Sequence, residues 1–248
     1  MDNTIRAITK TEDAKRQERA NRILDAATEL ILRWGYDKTT IDDICRKAGV
    51  AKGTVYLHWK TREELFEALM QRESLALAED YGRRIAQDPA GATLRGIYKN
   101  AALALIRRPL LRALLLGDRD VIGKLAQRAQ GTSAYTDRLA GFNIYLDFLR
   151  QHGMLRDDLS HNAQVYTVTA IFMGYFMIAP LVPDALKLQD EELAELIGEA
   201  IHCTLESERP FSMDELQTIS NEFTPYLERI LANTGAMLGK ESDQENTK

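Results

Sequence analysis

Cysteine is nearly absent from this chain of 248 residues: only Cys45 and Cys203 occur, so neither a disulfide framework nor a four-thiolate zinc site can be built. With six prolines and 15 glycines, the composition is far from collagen-like or low-complexity sequence. An unbroken apolar run of the ~20 residues that a bilayer span requires is also missing. The longest mostly apolar stretch, 165–182, is interrupted by Tyr166, Thr167, Thr169, Gly174 and Pro180 and reads as a buried helix. Residues 1–22 are charged throughout and lack the apolar stretch of a signal peptide. Histidine is sparse, and His58, His152, His161 and His202 show no metal-ligand spacing. The adjacent pair His202 and Cys203 would diverge by about 100° on a helix. A glycine-rich phosphate loop, a nucleophile elbow and a paired-carboxylate signature are all lacking. The expectation is a soluble cytoplasmic protein that is not an enzyme and uses no metal or cofactor.

What the chain does hold is enough apolar residue, 45%, to build a core in one large domain or two modest ones. Charge is uneven. The net charge is −5, yet residues 1–70 carry 13 Lys+Arg against 12 Asp+Glu, while the remainder is net −6. Residues 46–62 contain Arg46, Lys47, Lys52, Lys60 and Arg62 and no acidic residue. A short basic island on an acidic protein suggests a local anionic partner, although a charge run by itself is as readily a solvated face.

Helical patterning dominates. Ile23, Ala27, Leu30, Ile31 and Trp34 form one helical stripe, stopped by Gly35. Thr40 and Asp43 have capping-box spacing before Ile41, Ile44 and Ala48, and Gly49 ends this short helix. A third short helix is predicted over 52–58, with Val55 inward. Thr61 and Glu64 then open a fourth before Leu65, Phe66, Leu69 and Met70. Further helices are predicted near 92–107, 110–128 (broken at Gly117), 134–152, 160–179, 190–206 and 212–222, the last behind a Ser212–Glu215 capping box. Thr224–Pro225 fits the start of one more, and 239–248 is expected to be a polar disordered tail. Period-two alternation bounded by turns is not found, so the fold class is all-α.

The segment from Gly35 to Met70 has the layout of a DNA-binding helix-turn-helix. Its second helix would begin at Ala51, Lys52, Gly53 and Thr54, small residues that let a backbone enter a major groove about 12 Å wide. Tyr56, His58 and Lys60 would follow with hydroxyl, imidazole and ammonium donors for the flanking phosphates. Gly35-Tyr36, Thr39-Thr40, Ile44, Ala48-Gly49-Val50, Lys52-Gly53-Thr54-Val55-Tyr56, His58-Trp59-Lys60 and Arg62-Glu63-Glu64-Leu65 together resemble the TetR/AcrR family of bacterial transcriptional regulators. The match runs over about 45 residues. Trp59 stands where the family more often has Phe. Leu57 stands where many relatives carry a polar or aromatic residue, and offers only an apolar contact such as to a thymine methyl. A weaker likeness is Gly153-Met154-Leu155-Arg156-Asp157-Asp158-Leu159, similar to the link before the dimer-forming helices of many relatives.

The resemblance implies a DNA-binding domain over 1–68, an effector-binding and dimerisation domain over 69–238, and the tail. It implies DNA-facing positions Thr39, Thr40, Lys52, Gly53, Thr54, Tyr56, Leu57, His58 and Lys60. It further implies a homodimer formed through the helices near 160–179 and 190–206, a palindromic double-stranded DNA operator, and a small-molecule effector that releases a repressor. Candidates for the effector cavity are Tyr98, Phe142, Tyr145, Phe148, Phe172, Met173 and Phe176, each of which also suits ordinary core packing. Arg107, Arg108 and Arg112 would meet an anionic ligand or stay solvated. An activator with the same contacts, or a helical interaction dimer whose N-terminal domain no longer binds DNA, would share this sequence pattern. The basic residues Arg6, Lys10, Lys15, Arg16 and Arg19 either extend the DNA-binding surface as an arm or begin a plain solvated helix, and the interspersed acidic residues favour the latter.

Overall fold

The computed structural model describes residues 2–123, 143–223 and 225. Among them no strand occurs, and the only β feature is an isolated bridge between Leu155 and Glu206. The helices are α1 (Asp2–Trp34), α2 (Ile41–Ala48), α3 (Lys52–Tyr56), α4 (Arg62–Gln87), α5 (Leu94–Ile106), α6 (Pro109–Leu116), α7 (Arg119–Ile122), α8 (143–151), α9 (His161–Ile178), α10 (Asp190–Leu205) and α11 (213–223). The helical start at Thr224, Phe142 and the polar tail expected from the sequence lie outside the described residues.

The helix ends follow the chemistry of their caps. The Thr40 hydroxyl accepts from Asp43 N, and the Asp43 carboxylate accepts in return from Thr40 N. Gly49 closes α2 at φ 65°, and its N–H bonds Cys45 O. At α4 the Thr61 hydroxyl accepts from Glu64 N, while the Glu64 carboxylate reaches one residue further back than expected, to Lys60 N at 2.6 Å. The predicted box at Ser212 and Glu215 is formed in both directions.

Two apolar clusters organise the chain. The N-terminal one joins Ile23, Ala27 and Ile31 of α1, Ile44 and Cys45 of α2, Val55 of α3, and Leu65, Phe66, Leu69 and Met70 of α4, with Leu110 entering from α6. The second joins Leu94, Ala102 and Leu103 of α5, Leu146 and Leu149 of α8, Val168 and Phe176 of α9, and Ile219 and Phe223 of α11. Its α10 stripe, Ala194, Ile197, Ile201 and Leu205, is wholly buried. Helix α4 contributes to both clusters, because Tyr81 and Ile85 at its far end belong to the second.

A polar clamp holds α4 against the junction of α5 and α6. The buried Asp80 carboxylate accepts from Arg84 Nε at 3.2 Å and from Arg108 at 3.4 Å. Arg108 also donates to the Ala76 and Ala104 carbonyls. Burial pushes the Asp80 carboxyl up, and Arg84 and Arg108 together more than reverse this, leaving it below the ordinary carboxylate value. Both terminal nitrogens of Arg108 are thus committed within the fold, while its buried Nε has no hydrogen-bond partner among the described residues.

Helix α9 departs from the buried helix expected over 165–182. Of its residues only Gln164, Val168 and Phe176 are buried, while Tyr166, Met177 and Ile178 face outward, followed by Leu181. Its length and apolar composition alone would suit a membrane crossing. Its first half is tied to the neighbouring link by Gln164, which donates to the Arg156 carbonyl and accepts from Arg150. The stripe is broad because one face fills the core and a second, equally apolar face remains outside.

Helices α6 and α7 lie under the turn between α1 and α2. Tyr36 N donates to Val121 O at 2.8 Å, and Gly35, at φ 82°, approaches so closely that a Cβ there would sit 2.3 Å from the Asp120 carbonyl oxygen. Gly35→Ala should lower unfolding stability by more than the ~1–2 kcal/mol of a left-handed alanine, because backbone must move. Gly49→Ala, where a Cβ meets nothing within 4 Å, should show the left-handed cost alone. Urea denaturation of the two variants checks this, and equal midpoint shifts would contradict the close approach.

Candidate nucleic-acid interface

Helix α3 has only five residues, and one of them holds it down. Val55 is buried against α1, α2 and α4, and Trp59, just beyond the helix, packs on the same cluster. Val55 pointing inward leaves Lys52, Gly53, Tyr56 and Leu57 on the outer side, all exposed, with Thr54 partly so. Nothing lies within 4 Å of where a Gly53 side chain would stand, so the backbone there is open to a groove. Leu57 is 71% exposed, an apolar tip on a polar surface. The left-handed turn at Gly49 sets α3 across α2.

The basic island resolves into bound and free charges. Lys52 Nζ reaches Asp42 at 2.9 Å, Arg46 pairs with Asp43 at 3.5 Å, and Lys47 pairs with Glu29. Arg62 turns inward, its guanidinium 4.2 Å above the Tyr36 ring and donating to the Thr39 carbonyl at 3.2 Å. Lys60 has no ion pair among the described residues. Tyr36 in turn packs edge-on against Phe66 and donates its hydroxyl to Glu63. Burial raises the Tyr36 pKa, with Arg62 acting against it. Thus Arg62 braces the motif from within, and the other four basic residues stay at the surface.

Two expected positions sit differently from the rest. Thr40 is exposed but committed to its capping box with Asp43. Thr39 is 2% exposed, and its hydroxyl donates inward to the Gly35 carbonyl at 2.9 Å. The Thr39 side chain does not face the surface as expected, because the tight turn after α1 needs a donor for that carbonyl.

On the other side of α3, the N-terminal half of α1 comes alongside. A groove of about 550 Å³ runs between Lys15, Arg16 and Arg19 of α1 and Leu57 and His58 after α3. Burial first, then the nearby Arg16 and Arg19, holds the His58 pKa below its ordinary value. The amphipathic stripe began only at Ile23, so nothing in the apolar pattern signalled this neighbour. The i, i+1, i+4 spacing of its basic residues was the available sign.

The aromatic candidates for an effector cavity fall into separate groups. Tyr98 of α5 meets Phe172 edge-on at 5.0 Å, and Phe172 meets Phe176 at 5.2 Å. Tyr145 and Phe148 of α8 instead stack with Phe223 of α11, and Tyr145 donates its hydroxyl to the Ala92 carbonyl. Burial raises the pKa of both Tyr98 and Tyr145 well above the ordinary phenol value. Met173 lies apart, lining an outward groove of about 550 Å³ with His161 and Tyr166. Phe142 is outside the described residues. Among the described residues no group of His, Cys, Asp and Glu could hold a metal ion.

Known proteins resemble this chain in both sequence and fold. The family described as "Bacterial regulatory proteins, tetR family" matches residues 23–69, the span from the α1 stripe to the first turns of α4. The chain is 26% identical over 188 residues to the HTH-type transcriptional regulator SrpR of Pseudomonas putida, covering 76% of this chain and 84% of that one. It is 24% identical over 189 residues to the HTH-type transcriptional regulator TtgR of Pseudomonas putida, covering 73% and 89% respectively. The crystal structure of NalD, described as the secondary repressor of the MexAB-OprM multidrug efflux pump in Pseudomonas aeruginosa, shares the fold. Its TM-score is 0.57 at 20% identity, over 78% of this chain and 100% of that one.

Thr39→Val should cost about 1 kcal/mol of stability by leaving the Gly35 carbonyl without its donor. DNA affinity and its salt dependence should be unchanged at temperatures where the variant is folded. A variant that kept its stability but lost DNA affinity would return Thr39 to the contact surface.

Proposed function

We propose that the chain, whose residues 23–69 match the tetR-family model and which is similar along most of its length to HTH-type transcriptional regulators, is a transcriptional regulator of that family: a homodimeric repressor, released from a palindromic operator by a small-molecule effector. One observation carries the DNA-reading part. Of the five residues of α3 only Val55 is buried, so Lys52, Gly53 and Tyr56 are exposed and Thr54 partly so. In this reading Lys52, Gly53 and Thr54 meet base edges, Leu57 meets a thymine methyl, and Thr40, Tyr56, His58 and Lys60 meet phosphates. Lys52 is held by an exposed ion pair with Asp42, a kind of pairing that water screens and a base edge can displace. The sign of regulation follows the description of NalD as a repressor.

The dimer rests on where the large apolar side chains remain uncovered. Tyr166, Met177 and Ile178 of α9, Leu181 and Leu186 of the following link, and Leu196 of α10 are all exposed, with Tyr166 79% and Leu181 81% accessible. A face of this kind on a chain of net charge −5 is a subunit interface in this reading. The division into a DNA-binding unit ending near residue 68 and a larger effector unit follows the two apolar clusters, with α4 running through the boundary. The effector would enter among α5, α8 and α9, between the Tyr98–Phe172–Phe176 group and the Tyr145–Phe148 group, with Met173 bordering the outer groove. Its binding would shift α4 and α6 and so change the distance between two α3 helices that must reach half-sites about 34–36 Å apart.

Selection of bound duplexes from a random pool, followed by mobility shift over a salt series, tests the regulator. A recovered palindrome bound ~10³-fold or more above random DNA is expected. Recovery of no preferred sequence would overturn the reading. Lys60→Ala should weaken binding to every duplex and lower the slope of log K against log salt by about 0.9. Thr54→Ala should instead change the preferred base, at about 1–3 kcal/mol for a lost base contact. For the dimer, Tyr166→Glu with Leu181→Glu should bring the mass in sedimentation from twice 28.0 kDa down to 28.0 kDa. An unchanged dimer would place the interface elsewhere.

A further inference from the structure

The N-terminal half of α1 has a property that the helix-turn-helix does not use. From Glu12 to Arg19 every residue is exposed, and Ala20, which follows, is buried. A stretch of helix that is polar all round gains nothing from a core and needs another reason to persist. Its acidic residues are Glu12, Asp13 and Glu18, and its cations are Lys15, Arg16 and Arg19. Those cations have no ion pair among the described residues, in contrast to Lys47, Lys52 and Arg46 on the motif itself. All three line one groove with Leu57 and His58, the residues that follow α3 directly, and Glu12 is the one acidic residue lining that groove.

We infer that this groove seats the sugar–phosphate strand bordering the segment read by α3, so that α1 is a second DNA-contacting element and α3 does not bind alone. Lys15 to Arg19 spans about 6 Å along the helix, close to the rise over two successive phosphates of one strand at about 3.4 Å each. The wall opposite is Leu57 and His58, whose charged form is disfavoured by burial first and then by the nearby Arg16 and Arg19. The α1 wall thus carries three cations against the single carboxylate of Glu12, and the other wall an apolar tip and an imidazole. Contacts of this kind carry no base information. They add affinity and salt dependence to whatever α3 reads. The inference rests on the DNA-binding reading above and deepens it.

The test compares the full-length wild-type chain with Lys15→Ala/Arg16→Gln/Arg19→Gln, whose positions are exposed and outside both apolar clusters. Fluorescence anisotropy is read from about 50 to 200 mM salt on two duplexes of about 30 base pairs: the sequence recovered by selection and a random one. Losing three phosphate contacts should lower the slope of log K against log salt by about 2.7, so that wild type loses roughly 40-fold more affinity than the variant across that range. The drop should be the same on both duplexes, with the order of preferred sequences retained. A slope that falls by less than one unit on both duplexes overturns the inference and leaves the regulator reading intact. Tighter binding by the variant also overturns it, showing that the extended helix obstructs DNA. If wild type prefers no sequence, the regulator reading fails, and the random duplex still decides the groove by its slope.

Discussion

A helix of five residues has no stability of its own, since nucleation is unfavourable and isolated helices shorter than about 12–15 residues are marginal in water. Everything that α3 presents to DNA depends on Val55 and Trp59 being gripped by the cluster beneath. That grip explains the spacing of the motif. Ile44, Cys45 and Ala48 prepare one wall, Leu65, Phe66 and Leu69 another, and the α1 stripe the floor. The short turn at Gly49 leaves α3 no freedom to slide. Surface residues on α3 are then available for recognition because none of them is needed to keep it in place.

The same cluster is connected to the rest of the chain by rigid parts rather than by a linker. Helix α4 passes from the first apolar cluster into the second without a break, and Leu110 of α6 inserts into the first. Asp80 and Arg108 lock α4 to the α5–α6 junction, with Arg108 also satisfying two backbone carbonyls. A buried charge pair of this kind tolerates little displacement, because separating the partners leaves each desolvated and unpaired. Where α7 meets the turn before α2, Tyr36 N bonds Val121 O and Gly35 lies against the Asp120 carbonyl. A movement of α6 therefore reaches the base of the helix-turn-helix through backbone contacts as well as through α4.

Much of this was legible because caps and turns are local chemistry. Thr40 with Asp43, Ser212 with Glu215, and the glycines at 35 and 49 marked helix ends that the structure places within a residue or two. The motif residues of α2 and α3 were legible as well, because their inward and outward spacing follows directly from helical period. What was not legible depends on long-range neighbours. Arg62 reads as part of a basic island, yet it lies over Tyr36, a contact 26 residues back in the chain. Thr39 reads as surface, yet the carbonyl of Gly35 draws it inward. Helix α9 reads as buried because composition cannot separate a core face from an uncovered second face. The early start of α1 agrees with the solvated helix read from its mixed charges, but its position beside α3 was hidden because apolar periodicity reports only the part of a helix that has a core below it.

An acidic chain that binds DNA has to separate its charges in space. Beyond residue 70, where the net charge is −6, some of the acidic residues are engaged in ion pairs within the helical body, such as Glu195 with Lys99 and Glu191 with Arg107. Those pairs occupy cations far from the motif. Near the motif the pattern reverses: Lys60, Lys15, Arg16 and Arg19 have no ion pair among the described residues, and the three on α1 line a groove with Leu57 and His58 just after α3. Unpaired cations forgo local Coulomb stabilisation that ion pairing would give. In the reading proposed above they present phosphates with charges that need not first be released from a carboxylate, and each such contact would free condensed counterions from the duplex. Weak net charge and a strong local field are therefore compatible, because screening over about 8–10 Å at physiological salt makes the nearest charges, and not the total, decide what the surface attracts.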